Sequence, residues 1–590
     1  MKKKFDFHML PALLILCILP FCIRLHMIEI DLDQYPWFLN KNQWGDFFLF
    51  ARSRMILWVA GLAVLIMLDA FFLQRQKIHV QKRWFLLGGY LFFCILSAVF
   101  SDKKEVAFLG GIEQFEGLWV ILAYGVICFY GYSIAKRRQN NRLLYDLIVI
   151  TCFALSMIGV LQMAGKDILQ TDAIISLMIP ESLEKYRNQI SFNFTNESMH
   201  LAYMTLYNPN YVGSFAVLCV PILIDVFLKT KQMAKKIFVF VTYLFLMISL
   251  VGSQSKAGIV ICIFIQLLML IMWITSQMKE RKREKRLVIA GFVFFSVCIF
   301  IWVSIFYAGK EMNEMDASLD SISLDEKGIE ISYKQSILKI DYRMAEDMVI
   351  PVFRDGNGLE PPCEYDVTNK EYLIQDENLK ELRIGCYEKQ GVVQIYIAYK
   401  DYQWLFVDED ENHMFSYVTI YGKTDTIEEA FSVFPKGFDS LYTYRGYIWG
   451  RTIPLLQNKI LWGSGPDTFI YEFPQNDYVN RSHGKQGFFK EILTKPHSMY
   501  LQMALQTGVG SLVCFVLFVG HTLKDAFVFT CYRFQCLMYS VVGYMLVGIF
   551  NDSTITVAPI FWLILGLLTG YVEQATDDSC HNINKGGVVT

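Results

Sequence analysis

The chain reads as an all-α polytopic membrane bundle of about twelve helices with an inserted β-rich domain, and three observations predict that class. The first is composition: 54% of the 590 residues are hydrophobic and only 19% charged, with 47 Phe and 32 Tyr. Soluble domains carry nearer a quarter charged residues. The second is patterning, because the apolar residues gather in runs of about twenty, enough to cross roughly 30 Å of hydrocarbon as a helix. The third is a change of character between about 310 and 440, where polar, alternating sequence replaces the apolar runs.

In chain order the runs are 8–27, 54–73, 84–101, 117–135, 144–164, 211–228, 237–254, 257–277, 287–307, 498–520, 536–551 and 558–573. Basic residues fall in alternate connections: Lys2 to Lys4, Arg75 to Arg83, Lys136 to Arg142, Lys229 to Lys236, and Lys279 to Arg286. Cations mark the cytoplasmic side. Both termini are therefore expected in the cytoplasm of a cell-membrane protein, with 308–497 facing outward. The first run has a basic start but no small-residue cleavage site, so it is expected to stay as a helix. A formal net charge of −2 supplies no basic field for nucleic acid. Most of the 14 Cys lie in apolar runs, where a thiol behaves as a small hydrophobe. Cys363 and Cys386 form the only pair in the outward segment; a disulfide between them is open from sequence.

The chain divides into an N-terminal transmembrane bundle (1–307), an extracytoplasmic β-rich domain (308–440), an extracytoplasmic helical loop (441–497), and C-terminal helices with a tail (498–590). Ile329–Tyr333 and Val392–Tyr399 alternate with period two and carry β-branched and aromatic residues, which predicts strands. Gly356-Asn357-Gly358 and Asp408 to Asn412 predict turns. Nothing in this domain groups as a catalytic cluster, so an accessory role is expected. The connection 101–117 holds Gly110, Gly111 and Gly117 among apolar residues, and is expected to fold back against the bundle. Its Glu113 and Glu116 are expected to organise the loop, the alternative being contact with an acceptor sugar. At Asn208-Pro209-Asn210 a helix begins, with Asn210 as its expected cap.

The candidate site lies in 441–501. Tyr444 to Gln457 has a helical pattern with Arg445 and Trp449 four residues apart on one face. Arg451 points well round the helix, and Pro454 ends or kinks it. Gly463-Ser464-Gly465-Pro466-Asp467 is a tight turn, whose N–H groups are able to cradle an anion. His497 stands immediately before the tenth apolar run. A histidine or arginine at a membrane border has an amphipathic, non-catalytic explanation; Arg24 and Lys256 share that ambiguity. Several cations and one histidine on the same side nevertheless suggest an anionic ligand there.

Arg445-x-x-x-Trp449, Gly463 to Phe469, His497 to Gln502, Asn208 to Gly213 and the Phe115-Glu116-Gly117 loop, in that family's order, resemble the O-antigen ligase and O-antigen polymerase superfamily. The resemblance implies a membrane glycosyltransferase of GT-C type. It would move a glycan from polyprenyl diphosphate to an acceptor hydroxyl, without cofactor or metal. It implies His497 as general base, since imidazole has the reference pKa nearest neutrality. It implies Arg445 as the group that binds the diphosphate and stabilises the leaving charge. Lys256, Trp449, Arg451, Gly465 and Asn210 are the implied substrate contacts. One departure is Ser255-Lys256, where the family places Ser-Arg; lysine keeps the charge and loses the planar fork.

The competing reading is a transporter or flippase of lipid-linked sugars. Transporters keep ionisable residues near the bilayer midplane, whereas Asp69 and Asp225 fall near the ends of their runs here. A sensor is ranked last, because only a short polar tail follows residue 573. The implied partners are the lipid-linked glycan, a glycan, wall-polymer or protein acceptor, and the bilayer.

Overall fold

The computed structural model describes residues 7–39, 41–72, 81–137, 142–189, 194–196, 199–277, 319–325, 328–345, 348–399, 402–410, 412–483, 491–529 and 535–584. Among these, nine helices are long and apolar enough to cross a membrane, and two shorter apolar helices, Phe7–Phe21 and Gln535–Val547, accompany them. Every apolar run predicted from sequence is thereby matched except 287–307, which lies outside the described residues with the basic run Lys279 to Arg286. Lys2 to Lys4, Arg75 and Lys77 lie outside them too.

Burial separates the helices by position. Leu118–Lys136, Pro209–Lys229 and Ala558–Asn584 are the inner ones, while Phe50–Phe72, Met233–Gly252 and Lys256–Gln277 leave most of their surface outward. Apolar residues facing outward are what a bilayer solvates and water does not. An inner and an outer helix approach closely where glycine permits it. A Cβ on Gly213 would meet Gly258 Cα at 2.8 Å, and one on Gly258 would meet Gly213 Cα at 2.3 Å. Small residues at such crossings let backbones touch, the packing that membrane helices use in place of a hydrophobic drive.

The run 498–520, read from sequence as one helix, is two. Met499–Thr507 and Val509–Phe529 are separated at Gly508, which has φ +86°. A break at that depth needs partners for the freed backbone groups. The turn 460–465 provides them: Ser464 N–H donates to Leu505 O, Gly465 N–H to Gln506 O, and Ile460 O accepts from Val509 N–H.

Between residues 321 and 425 the chain forms an antiparallel four-stranded sheet and a seven-stranded sheet that share one apolar core. The strands Gly328–Tyr333 and Val392–Tyr399 fall where alternation predicts them. Cys363 and Cys386 are both free thiols. Strand Glu371–Ile374 pairs on either side with the strands that carry them, Cys363 opposite Ile374 and Cys386 beyond the other end of that strand, so they stand two strand spacings across and several residues along, more than about 10 Å apart. That exceeds disulfide reach.

Candidate functional site

The helix Leu441–Leu455 enters the site through a strained segment. Tyr442, Thr443 and Tyr444 have φ between 51° and 62°, a region costly for residues with a Cβ. Regular helix follows from Arg445, and Pro454 sits in its last turn, as the sequence predicts. Arg445 is half-buried; its Nε donates to Phe550 O at 2.9 Å and its Nη1 to Tyr442 O at 3.0 Å. Trp449, one turn on, donates from Nε1 to Pro496 O at 3.0 Å and packs against Tyr442 and Phe550. The indole therefore holds the carbonyl immediately before His497.

His497 has φ +53° and keeps 34% of its side chain exposed. Its Nδ1 lies 3.1 Å from Asp552 Oδ2, and Ser498 N–H donates to Asp552 Oδ1 at 3.1 Å. A carboxylate accepts, so the imidazole in this pairing donates from Nδ1. One buried aspartate thus orients the ring and fixes the adjoining backbone.

Asp552 belongs to 548–553, a short polar connection that gathers the site. Gly548 O and Asn551 O both accept from Met499 N–H. Asn551 Nδ2 donates to Asn210 O and Ser214 Oγ. Ser553 N–H donates to Gln502 Oε1. Ser255 Oγ reaches Asn210 O as well, so the exposed Lys256 begins its helix beside the same connection.

The loop 110–117 closes the other flank. Thr494 Oγ1 donates to Glu113 Oε2 and Lys495 Nζ to Glu113 O. Gln114 Nε2 donates to Thr494 O and its Oε1 accepts from Gln502. Asp467 Oδ2 accepts from Gly111 N–H and Glu116 N–H. Glu116 is fully enclosed and accepts from Tyr124 OH. Burial, with Asp467 and Asp552 nearby, pushes its carboxyl up to about 8. Asp467 is pushed up to about 7, again by burial, which its two backbone hydrogen bonds and Lys495 only partly offset. Burial alone would lower the Lys495 ammonium; Tyr211, Tyr207, Glu113 and Asp552 outweigh it and hold the amine well above its usual range. The Glu113 side chain is thus tied to Thr494 and the Glu116 side chain to Tyr124, both through side-chain partners where the sequence reading expected backbone ones.

Three expectations are corrected. Arg451 is 2% exposed, with Nη1 2.8 Å from Asp439 and Nε 2.9 Å from Asp477, and its guanidinium lies over the Tyr447 ring. It is a buried structural cation and faces no open surface. The N–H groups of Gly463, Ser464 and Gly465 are spent on carbonyls of Lys459, Leu505 and Gln506, so the turn fills a helix break and cradles no anion. Asn208, rather than Asn210, caps the helix Pro209–Lys229 by accepting from Asn210 N–H; Asn210 contributes its carbonyl.

Asp552, Asn551 and Lys495 were missed from sequence. The available signal was Asn551-Asp552-Ser553-Thr554, four polar residues between two apolar runs.

No curated protein and no solved structure matches the chain. The family model described as O-Antigen ligase matches residues 413–516, a span that includes Arg445, Trp449 and His497 and ends before Asp552. The chain is a multi-pass membrane protein, and its residues 413–516 are similar to the O-antigen ligase family.

Proposed function

We propose that this protein transfers a glycan from polyprenyl diphosphate to an acceptor hydroxyl on the outer face of the cell membrane, with both termini cytoplasmic. The observation that carries the reading is His497 held through Nδ1 by buried Asp552 with a third of its side chain exposed, together with Arg445, whose guanidinium is anchored on the same 548–553 connection. His497 Nε2 removes the acceptor proton as the hydroxyl oxygen bonds to the anomeric carbon. The bond from that carbon to the diphosphate oxygen breaks, and its electron pair leaves with polyprenyl diphosphate. Arg445, with Lys256 contributing charge nearby, stabilises the negative charge that grows on the departing oxygen. Asp552 keeps the tautomer and supports the imidazolium that forms, as in other oriented His–Asp pairs. The β-rich domain, 308–440 by the sequence division, is assigned to acceptor recognition or shielding.

The test is transfer of a labelled glycan from polyprenyl diphosphate in membranes that contain the full chain. Consumption of the donor with release of polyprenyl diphosphate supports the proposal, and product size separates single-block ligation from polymerisation. Movement of intact donor between leaflets without glycan transfer would replace it with transport.

A further inference from the structure

A second cationic site lies apart from His497 but at the same end of the bundle. A cavity of about 470 Å³ is lined by Arg24, His26, Phe50 and Arg54 together with apolar side chains and Ser182, and none of its lining residues is acidic. Among the described residues no carboxylate pairs with Arg24 or Arg54. The Arg54 guanidinium lies 4.7 Å over the Phe50 ring, and His26 stacks on the same ring, 3.9 Å away and near parallel. Phe50 and Arg54 also line a larger cavity of about 810 Å³ that holds Glu29, Asp31 and Glu105, whereas Arg24 and His26 line the smaller one alone.

Below Arg54 the same helix face continues outward and apolar. Trp58 is 82% exposed, Leu65 65% and Phe72 67%. Gly61 has nothing within 4 Å of a Cβ position. Positions 54, 58, 61, 65, 68 and 72 follow one stripe at helical spacing, with Arg54 at the end nearest the cavity.

We propose that this cavity binds the phosphate of a membrane lipid, with its acyl chains lying along the Trp58–Phe72 stripe. Planar guanidinium groups match phosphate oxygens, and Arg24 and Arg54 place two of them at the end of an apolar helix face. The stripe favours a lipid over free phosphate, since inorganic phosphate gains nothing from an apolar groove. The site is independent of the transferase reading.

The test is native mass spectrometry of the detergent-solubilised full chain, titrated with phosphatidylglycerol, a neutral diacylglycerol glycoside of the same acyl chains, or inorganic phosphate. Wild type is expected to retain phosphatidylglycerol at least tenfold more tightly than R24Q/R54Q, and more tightly than the glycoside. The R24K/R54K variant, which keeps the charge, is expected to recover most of the difference. R24Q alone changes an exposed loop side chain, and is expected to weaken retention partially with an unchanged melting temperature. Equal retention by wild type and R24Q/R54Q, or equal retention of the glycoside, overturns the proposal. Inorganic phosphate that binds as tightly as the lipid overturns the lipid assignment.

Discussion

Arg451 and His497 both sit beside buried aspartates within one 60-residue stretch, yet they are built for opposite ends. Two carboxylates and a tyrosine ring enclose Arg451 and leave it 2% exposed. A single carboxylate holds one side of His497 and leaves a third of the ring outward. A buried charge that is fully paired is a fixed structural element. A charge partner that engages only one of two ring nitrogens leaves the other for chemistry. The number of partners, more than the residue type, separates scaffold from site here.

That contrast is open to attack by substitution. The largest loss is expected for His497→Ala, about 10²–10⁴-fold in transfer rate, the usual range for a general base, read as polyprenyl diphosphate released per folded molecule. Arg445→Ala is expected to cost roughly 10²–10³-fold, with the effect in kcat at saturating donor. Asp552→Asn is expected to cost about 10–100-fold, as for other groups that orient a functional ligand; an unchanged rate would show that the ring needs no such partner. Arg451→Met is expected to act elsewhere. It leaves Asp439 and Asp477 uncompensated and destabilises by about 3–5 kcal/mol, while the folded fraction keeps near wild-type KM. Thermal denaturation beside the rate assay checks both halves of that statement.

The smallest effect concerns pH. Glu116 is held protonated up to about 8, against 4.5 for the free side chain. Between those values the folded protein keeps a proton that the unfolded chain has lost, so this group's stabilisation falls as pH rises through the window. Glu116→Gln is expected to flatten the decline in melting temperature from pH 5 to pH 8. A slope equal to wild type would mean that the carboxyl is already ionised in the fold.

Much of the fold was legible because its physics is local. Apolar runs of bilayer length announce membrane helices, and period-two alternation announced the strands at 329–333 and 392–399. Where several solutions satisfy one pattern, sequence failed. Gly463-Ser464-Gly465 reads equally as an anion cradle and as a plug for a broken helix; only the position of Gly508 decides, 43 residues further on. Arg445 and Arg451 look alike in one helix, and the difference rests on Asp439 and Asp477, which no helical spacing relates to them. Asp552 was missed because 55 residues separate it from His497. Of the residues expected at the site, His497, Arg445, Trp449 and the Asn210 carbonyl converge on 548–553, whereas Arg451 and Gly465 serve the scaffold.

The most direct test of the account is the rate of polyprenyl diphosphate release by His497→Ala and wild type at equal folded protein, with saturating donor. The account predicts a fall of at least about 10²-fold with donor binding retained. A rate within a few-fold of wild type would contradict it and move the base to another residue.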